Sequence, residues 1–182
     1  MKITLAGSPG SGKSTLRKLL AEHYGLSTKG TGDFMRELSA KYGYSDITQF
    51  LVEYVSEHPE VDHQVDEEQR IYGKENDDFV LDAHLGFHFV PDSIRICLIC
   101  DLEEAARRIL DDSGRTTESA TNIKDSIDSS QQRRDTMHKN FLSLYQVDID
   151  DHSNFDLVLD TSRLTSVEVF EKVTDFIDSL ST

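Results

Sequence analysis

Eight residues near the start of the chain, Gly7-Ser8-Pro9-Gly10-Ser11-Gly12-Lys13-Ser14, restrict the possible folds more than any other feature. They satisfy the pattern G-x-x-x-x-G-K-[ST] in full. Glycines in that pattern let the backbone turn tightly, so that N–H groups point inward at phosphate oxygens. The helix that follows adds its positive dipole end to the same place. Gly7, Ser8, Pro9, Gly10, Ser11, Gly12, Lys13, Ser14 and Thr15 are therefore the expected contacts to ATP or GTP. Lys13 is expected to reach the β and γ phosphates, and the Ser14 hydroxyl to ligate Mg²⁺. Such a cradle needs a strand before it and a helix after it. Residues 2–6 (Lys-Ile-Thr-Leu-Ala) read as a short strand, and residues 14–24 carry Leu16, Leu19 and Leu20 on one helical face.

The rest of the chain alternates in the same way. A second short strand is expected over residues 26–29, after which Gly30 and Gly32 break the chain before Asp33 starts a helix towards Tyr42. Residues 46–75 are polar and helical in pattern. Ile47, Phe50, Leu51, Tyr54 and Val55 mark one apolar face, Val61, Val65 and Tyr72 another, and Pro59 suits a helical first turn. Phe79-Val80-Leu81 and residues 94–100 are continuous apolar runs of strand length, as in parallel strands buried on both faces. Asp101 is placed to cap a helix over residues 103–110. Residues 111–122, rich in Ser, Thr and Asp, read as a loop or flap; residues 123–145 read as a long helix, 155–159 as a last strand and 166–180 as an amphipathic helix. The fold class is α/β with a parallel sheet, and 182 residues without a visible linker or repeat imply one domain, 1–182.

With 34 acidic against 19 basic residues the formal net charge is −15. That surface repels nucleic-acid backbones and anionic membranes, so small nucleotides are the expected partners, with no nucleic acid and no membrane. The few basic residues must then concentrate where phosphates sit. No run approaches the roughly 18 apolar residues of a membrane span, and the N-terminus has no secretory signal pattern. A cytoplasmic location is expected. Cys97 and Cys100 form a C-x-x-C, but in a strand residues three apart face opposite sides and cannot chelate one metal.

The chain resembles the nucleoside monophosphate kinases, and in particular the short archaeal-type cytidylate kinases. The resemblance covers the phosphate cradle, Thr31-Gly32-Asp33-Phe34-Met35-Arg36, His58-Pro59-Glu60-Val61-Asp62, residues 79–84, Leu144-Tyr145-Gln146-Val147-Asp148 and residues 155–162. It implies a five-stranded sheet of order 2-3-1-4-5, a helical acceptor-binding insertion near residues 33–75, a lid near 111–122, ATP and Mg²⁺ as donor and cofactor, and a monomer. Arg36 stands where the family's acceptor-phosphate arginine stands, and Asp33 either orients the acceptor or caps its helix. Asp82, at the carboxyl end of a strand, suits the Mg²⁺ shell beside Ser14. Arg108 corresponds to an arginine packing on the donor adenine, Arg115 to the lid, Arg133 to the helix returning from it, and Ser162 to the donor-base loop. Asp62 and Asp66 fall near the acceptor nucleoside.

Some positions depart from the family. His84 stands where an arginine usually grips the acceptor phosphate, and a largely neutral imidazole offers no bidentate fork. The lid-return helix has Thr136-Met137-His138-Lys139-Asn140-Phe141 in place of an arginine-bearing segment, and Asp112 replaces a further arginine. Two readings follow: an active kinase for a nucleoside monophosphate, CMP or dCMP first, with another small metabolite as a variant acceptor, or a nucleotide-binding module with weak or lost transfer.

Overall fold

The computed structural model describes residues 1–58, 60–111 and 122–180. Strand β1 (Lys2–Gly7) runs through the middle of a five-stranded sheet, with Ile3, Thr4, Leu5 and Ala6 all buried. A strand buried on both faces requires a helical layer on each side. Helix α1 (Lys13–Tyr24) leads to β2 (Ser27–Gly30), and α2 (Thr31–Lys41), α3 (Ile47–Glu53) and α4 (Glu60–Glu75) lead to β3 (Phe79–Asp82). A short helical turn, α5 (Gly86–Phe89), precedes β4 (Ile94–Ile99). Helices α6 (Leu102–Asp111) and α7 (Ile123–Tyr145) precede β5 (Leu157–Asp160), and α8 (Ser166–Ser179) follows. The strand order is β2-β3-β1-β4-β5 with every pair parallel, as the resemblance implied.

Strand alternation divides the core between the two faces. In β3, Val80 packs with Ile3, Leu5, Leu16, Leu20, Val173 and Ile177 on the α1/α8 side. Its neighbours Phe79 and Leu81 pack with Phe34, Phe50, Val65 and Phe89 on the side of α2, α4 and α5. Both clusters thus depend on β3, and the strand ends next to the phosphate cradle are held from above and below.

Four details depart from the expectations. Helix α2 begins at Thr31, so Gly32 lies inside its first turn and Asp33 is its third residue rather than its cap. The carboxylate still serves the helix start, because Asp33 Oδ2 accepts the Gly30 N–H at 2.7 Å. Strand β5 begins at Leu157: Phe155 packs edge-on against Phe87, and Asp156 accepts from the Arg95 backbone and guanidinium. The four-residue α5 is too short for periodicity to reveal. Cys97 is buried in β4 and Cys100 lies just beyond its end, both free thiols. The Pro59 position and nearly all of the expected lid, Asp112 and Arg115 included, lie outside the described residues.

Candidate active site

The phosphate cradle connects β1 to α1, and Gly7, Gly10 and Gly12 all have positive φ. No side chain caps α1 and no acidic residue occupies its first turn, so its leading N–H groups are available to an anion. The Lys13 ammonium donates to the carbonyls of Gly7 at 2.9 Å and Ser8 at 2.8 Å, which folds it over the loop. The loop is tied down from behind: Ser11 Oγ donates to Ser8 O, and the fully buried Thr161 hydroxyl donates to Ser11 O at 3.1 Å. Ser14 Oγ donates to Asp82 Oδ2 at 3.0 Å. These two oxygens come from the start of α1 and the end of β3, and an all-oxygen pair suits a hard cation such as Mg²⁺, which keeps several waters.

Two clefts open on either side of this loop, and Ser14 lines both. The first, of about 550 Å³, runs over Gly10–Thr15 to Glu104, Arg108, Leu164 and Thr165. Arg108 is held there by Glu104 at 2.9 Å, by Thr161 O at 2.8 Å and by Thr161 Oγ1 at 3.3 Å. Its planar group is thereby fixed as one wall.

The second cleft, of about 610 Å³, is lined by Arg17, Asp33, Arg36, Asp62, Asp66, Gln69, Asp82, His84 and Arg133, and by Met137 and Phe141 of α7. Its charges are sorted. Near the loop, Asp33 bridges two guanidinium groups, accepting from Arg36 at 2.6 Å and Arg17 at 3.0 Å. Burial pushes the Asp33 carboxyl up, but donation from Arg36, Gly30 and Arg17 outweighs it and holds the group below the usual carboxylate range. Farther out, burial pushes Asp66 up, against the hydrogen bond it accepts from Tyr145 at 2.6 Å.

A family model described as AAA domain (AAA_18) matches residues 3–133. The cytidylate kinase of Methanopyrus kandleri is 34% identical over 188 residues, covering 98% of this chain and 93% of that one. The chain belongs to the P-loop kinases of the cytidylate kinase type. A segment of the S-adenosylmethionine-dependent nucleotide dehydratase of Lacinutrix mariniflava is 34% identical over 176 residues, or 94% of this chain, which spans only 35% of that protein. Among solved structures, shikimate kinase of Bacteroides thetaiotaomicron superposes with a TM-score of 0.66 over 98% of both chains. At 13% identity that likeness speaks for the P-loop kinase fold alone. Among the described residues no helix is long and apolar enough to cross a membrane.

In this P-loop kinase the residues singled out in the sequence fall into three places. Gly10, Ser11, Gly12, Lys13, Ser14, Thr15 and Arg108 line the first cleft. Asp33, Arg36, Asp62, Asp66, Asp82, His84 and Arg133 line the second. Gly7, Ser8 and Pro9 form the back of the loop, over a recess of about 30 Å³ shared with His84 and Arg134. Ser162 does not line either cleft; its hydroxyl accepts from the Asp101 N–H at 2.8 Å and donates to Asp160 Oδ1. Leu164 and Thr165 line the first cleft instead. Arg134 pairs with Asp150.

Sequence reasoning missed Arg17 and Gln69. Arg17 is three residues beyond Ser14, hence on the same face of α1, and that spacing was the available signal. Gln69 shares a face of α4 with Asp62 and Asp66.

The His84 imidazole is pushed down to about 3, first by burial and then by Lys13, Arg133 and Arg134. It is neutral at pH 7. Because the folded state resists a proton that the unfolded chain accepts below about 6.5, His84 makes stability fall as pH drops from that value towards about 3. His84→Gln should therefore lose less stability than the parent between pH 7.5 and pH 5, measured by urea unfolding. Equal losses would contradict the neutral imidazole.

Proposed function

We propose that this chain transfers the γ-phosphoryl group of ATP to a nucleoside monophosphate, with CMP or dCMP as first candidates. The observation that carries the reading is the meeting of two nucleotide-sized clefts at Ser14, one on each side of the phosphate loop. The cytidylate kinase relatives support a pyrimidine acceptor. The loop N–H groups and Lys13 hold the donor phosphates, while Arg108 walls the donor base. Ser14 and Asp82 would hold Mg²⁺, which when bound offsets charge on the donor phosphates. Arg36, steadied by Asp33, presents the acceptor phosphate, with His84 beside it, and Asp62 and Asp66 face the nucleoside. An acceptor phosphate oxygen attacks the γ phosphorus, its new P–O bond forms in line as the bond to the β-phosphate oxygen breaks, and ADP leaves. Arg133 of α7, which lines the second cleft, faces the transferring group, and the other arginine expected there, Arg115, lies outside the described residues. Positioning and charge compensation carry this chemistry, so no covalent enzyme intermediate is needed.

The test is ATP-dependent ADP release with Mg²⁺ across CMP, dCMP, UMP, AMP, GMP, TMP and the unphosphorylated nucleosides. Turnover on a cytidine monophosphate is expected. ATP binding without turnover on any monophosphate would refute the reading and favour a metabolite acceptor or a binding-only role.

A further inference from the structure

Resting on the kinase reading above, we propose that Arg17 is a second arginine for the acceptor phosphate, acting beside Arg36 from the opposite side of Asp33. The phosphate end of the second cleft needs fixed positive charge, and the His84 imidazole there offers no bidentate fork. Arg36 is the obvious source, but its side chain is 61% exposed and hence only partly desolvated. The Arg17 side chain is 16% exposed and lines the same cleft. A charge in a less hydrated place interacts more strongly with an incoming anion.

Three observations set Arg17 apart from a surface ion pair. Its Nε is buried without a hydrogen-bond partner among the described residues, so its donor capacity exceeds what Asp33 uses. Asp33 is shared between two guanidinium groups, which leaves this trio with one net positive charge to meet a phosphate. The chain also makes room for Arg17: a Cβ at Gly30 would lie 2.5 Å from its Nη1. Gly30 has φ −131, which any residue adopts, so what glycine supplies there is room for the guanidinium and not backbone freedom. The guanidinium thus lies in a seat formed by Gly30 and Asp33, three residues along α1 from Ser14.

The geometry predicts a division of effects. Arg17→Ala should raise KM for the monophosphate acceptor by roughly tenfold to a hundredfold, the scale of a charge-assisted contact. KM for ATP should change by less than about twofold, because the first cleft does not include Arg17. Gly30→Ala should reproduce part of the effect by displacing the guanidinium while leaving Arg17 and Arg36 in place. Arg17→Lys keeps the charge without the fork and should fall between the parent and Arg17→Ala.

The experiment is calorimetric binding of CMP and of cytidine to the parent, Arg17→Ala, Arg17→Lys and Gly30→Ala, with acceptor and ATP KM values measured alongside. The expected result is weaker CMP binding in all three variants with cytidine binding unchanged. If cytidine and CMP weaken together, Arg17 only braces α2 and the proposal is wrong. If the parent prefers CMP and the variants match it, the proposal fails while the kinase reading stands. A parent that binds CMP no better than cytidine overturns both.

Discussion

Replacing Lys13 by alanine should reduce kcat on the best acceptor by about a thousandfold or more while leaving the fold intact. Removal of one preorganised donor from a site of developing negative charge generally lowers rate by roughly 10²- to 10³-fold, and a full positive charge on transferring phosphates contributes at the upper end of that scale. The structural effect should be small by comparison. Lys13 donates to two loop carbonyls, Gly7 O and Ser8 O, both on the partly exposed loop where water can take its place. Thermal unfolding should shift by a few degrees only. A second consequence is independent of catalysis: Lys13 is one of the charges that depress the His84 imidazole, so its removal should raise that pKa, observable by NMR titration. Preserved turnover in Lys13→Ala would remove the proposed phosphate site altogether.

The largest stability effect should come from Gly7→Ala. Gly7 ends β1 at φ +133, a conformation in which an L side chain is strained, and it is paired in register with Leu98 of β4. A Cβ there would lie 2.0 Å from the Leu98 carbonyl oxygen and 2.9 Å from its carbon. Neither atom belongs to a flexible side chain, so relief requires moving apart the two central strands or rebuilding the loop. Both strands carry fully buried residues, Ile3 and Leu5 in one and Ile96 and Leu98 in the other. We expect a loss above about 4 kcal/mol, in the range reserved for severe backbone or core disruption. Gly12→Ala is the control. Its φ is +93, but a Cβ there meets nothing within 4 Å, so backbone strain of order 1–3 kcal/mol is the main effect. Equal unfolding midpoints for the two variants would show that the Leu98 contact is not what requires glycine at position 7.

Much of the architecture could be read from the chain because its signals are local. The phosphate loop is eight consecutive residues, and β1, β3, β4 and the longer helices show their own period or apolar run. The errors fell where those signals weaken. Asp33 looked like a helix cap because Gly32 normally interrupts helices, yet Gly30 in extended conformation is the cap and α2 begins at Thr31. Phe155 looked like strand, but its ring found Phe87 and the pairing with β4 started only at Leu157. Ser162 follows the last strand as expected, and its hydroxyl donates to Asp160 and accepts the Asp101 N–H.

The sequence by itself determined the phosphate loop, the α/β class and the resemblance that ordered the sheet, since these depend on residues a few positions apart. The tertiary structure decided which distant side chains share a site. Arg17 meets Asp33 across 16 residues, Ser14 meets Asp82 across 68, Asp66 meets Tyr145 across 79, and Ser11 meets Thr161 across 150. The parallel sheet brings the loop pairs together by gathering the carboxyl ends of its strands along one edge, and the packing of α7 against α4 brings Tyr145 to Asp66. The neutrality of His84 is of the same kind: it comes from burial and from Lys13, Arg133 and Arg134, three cations far from it in sequence that the fold has placed around one ring.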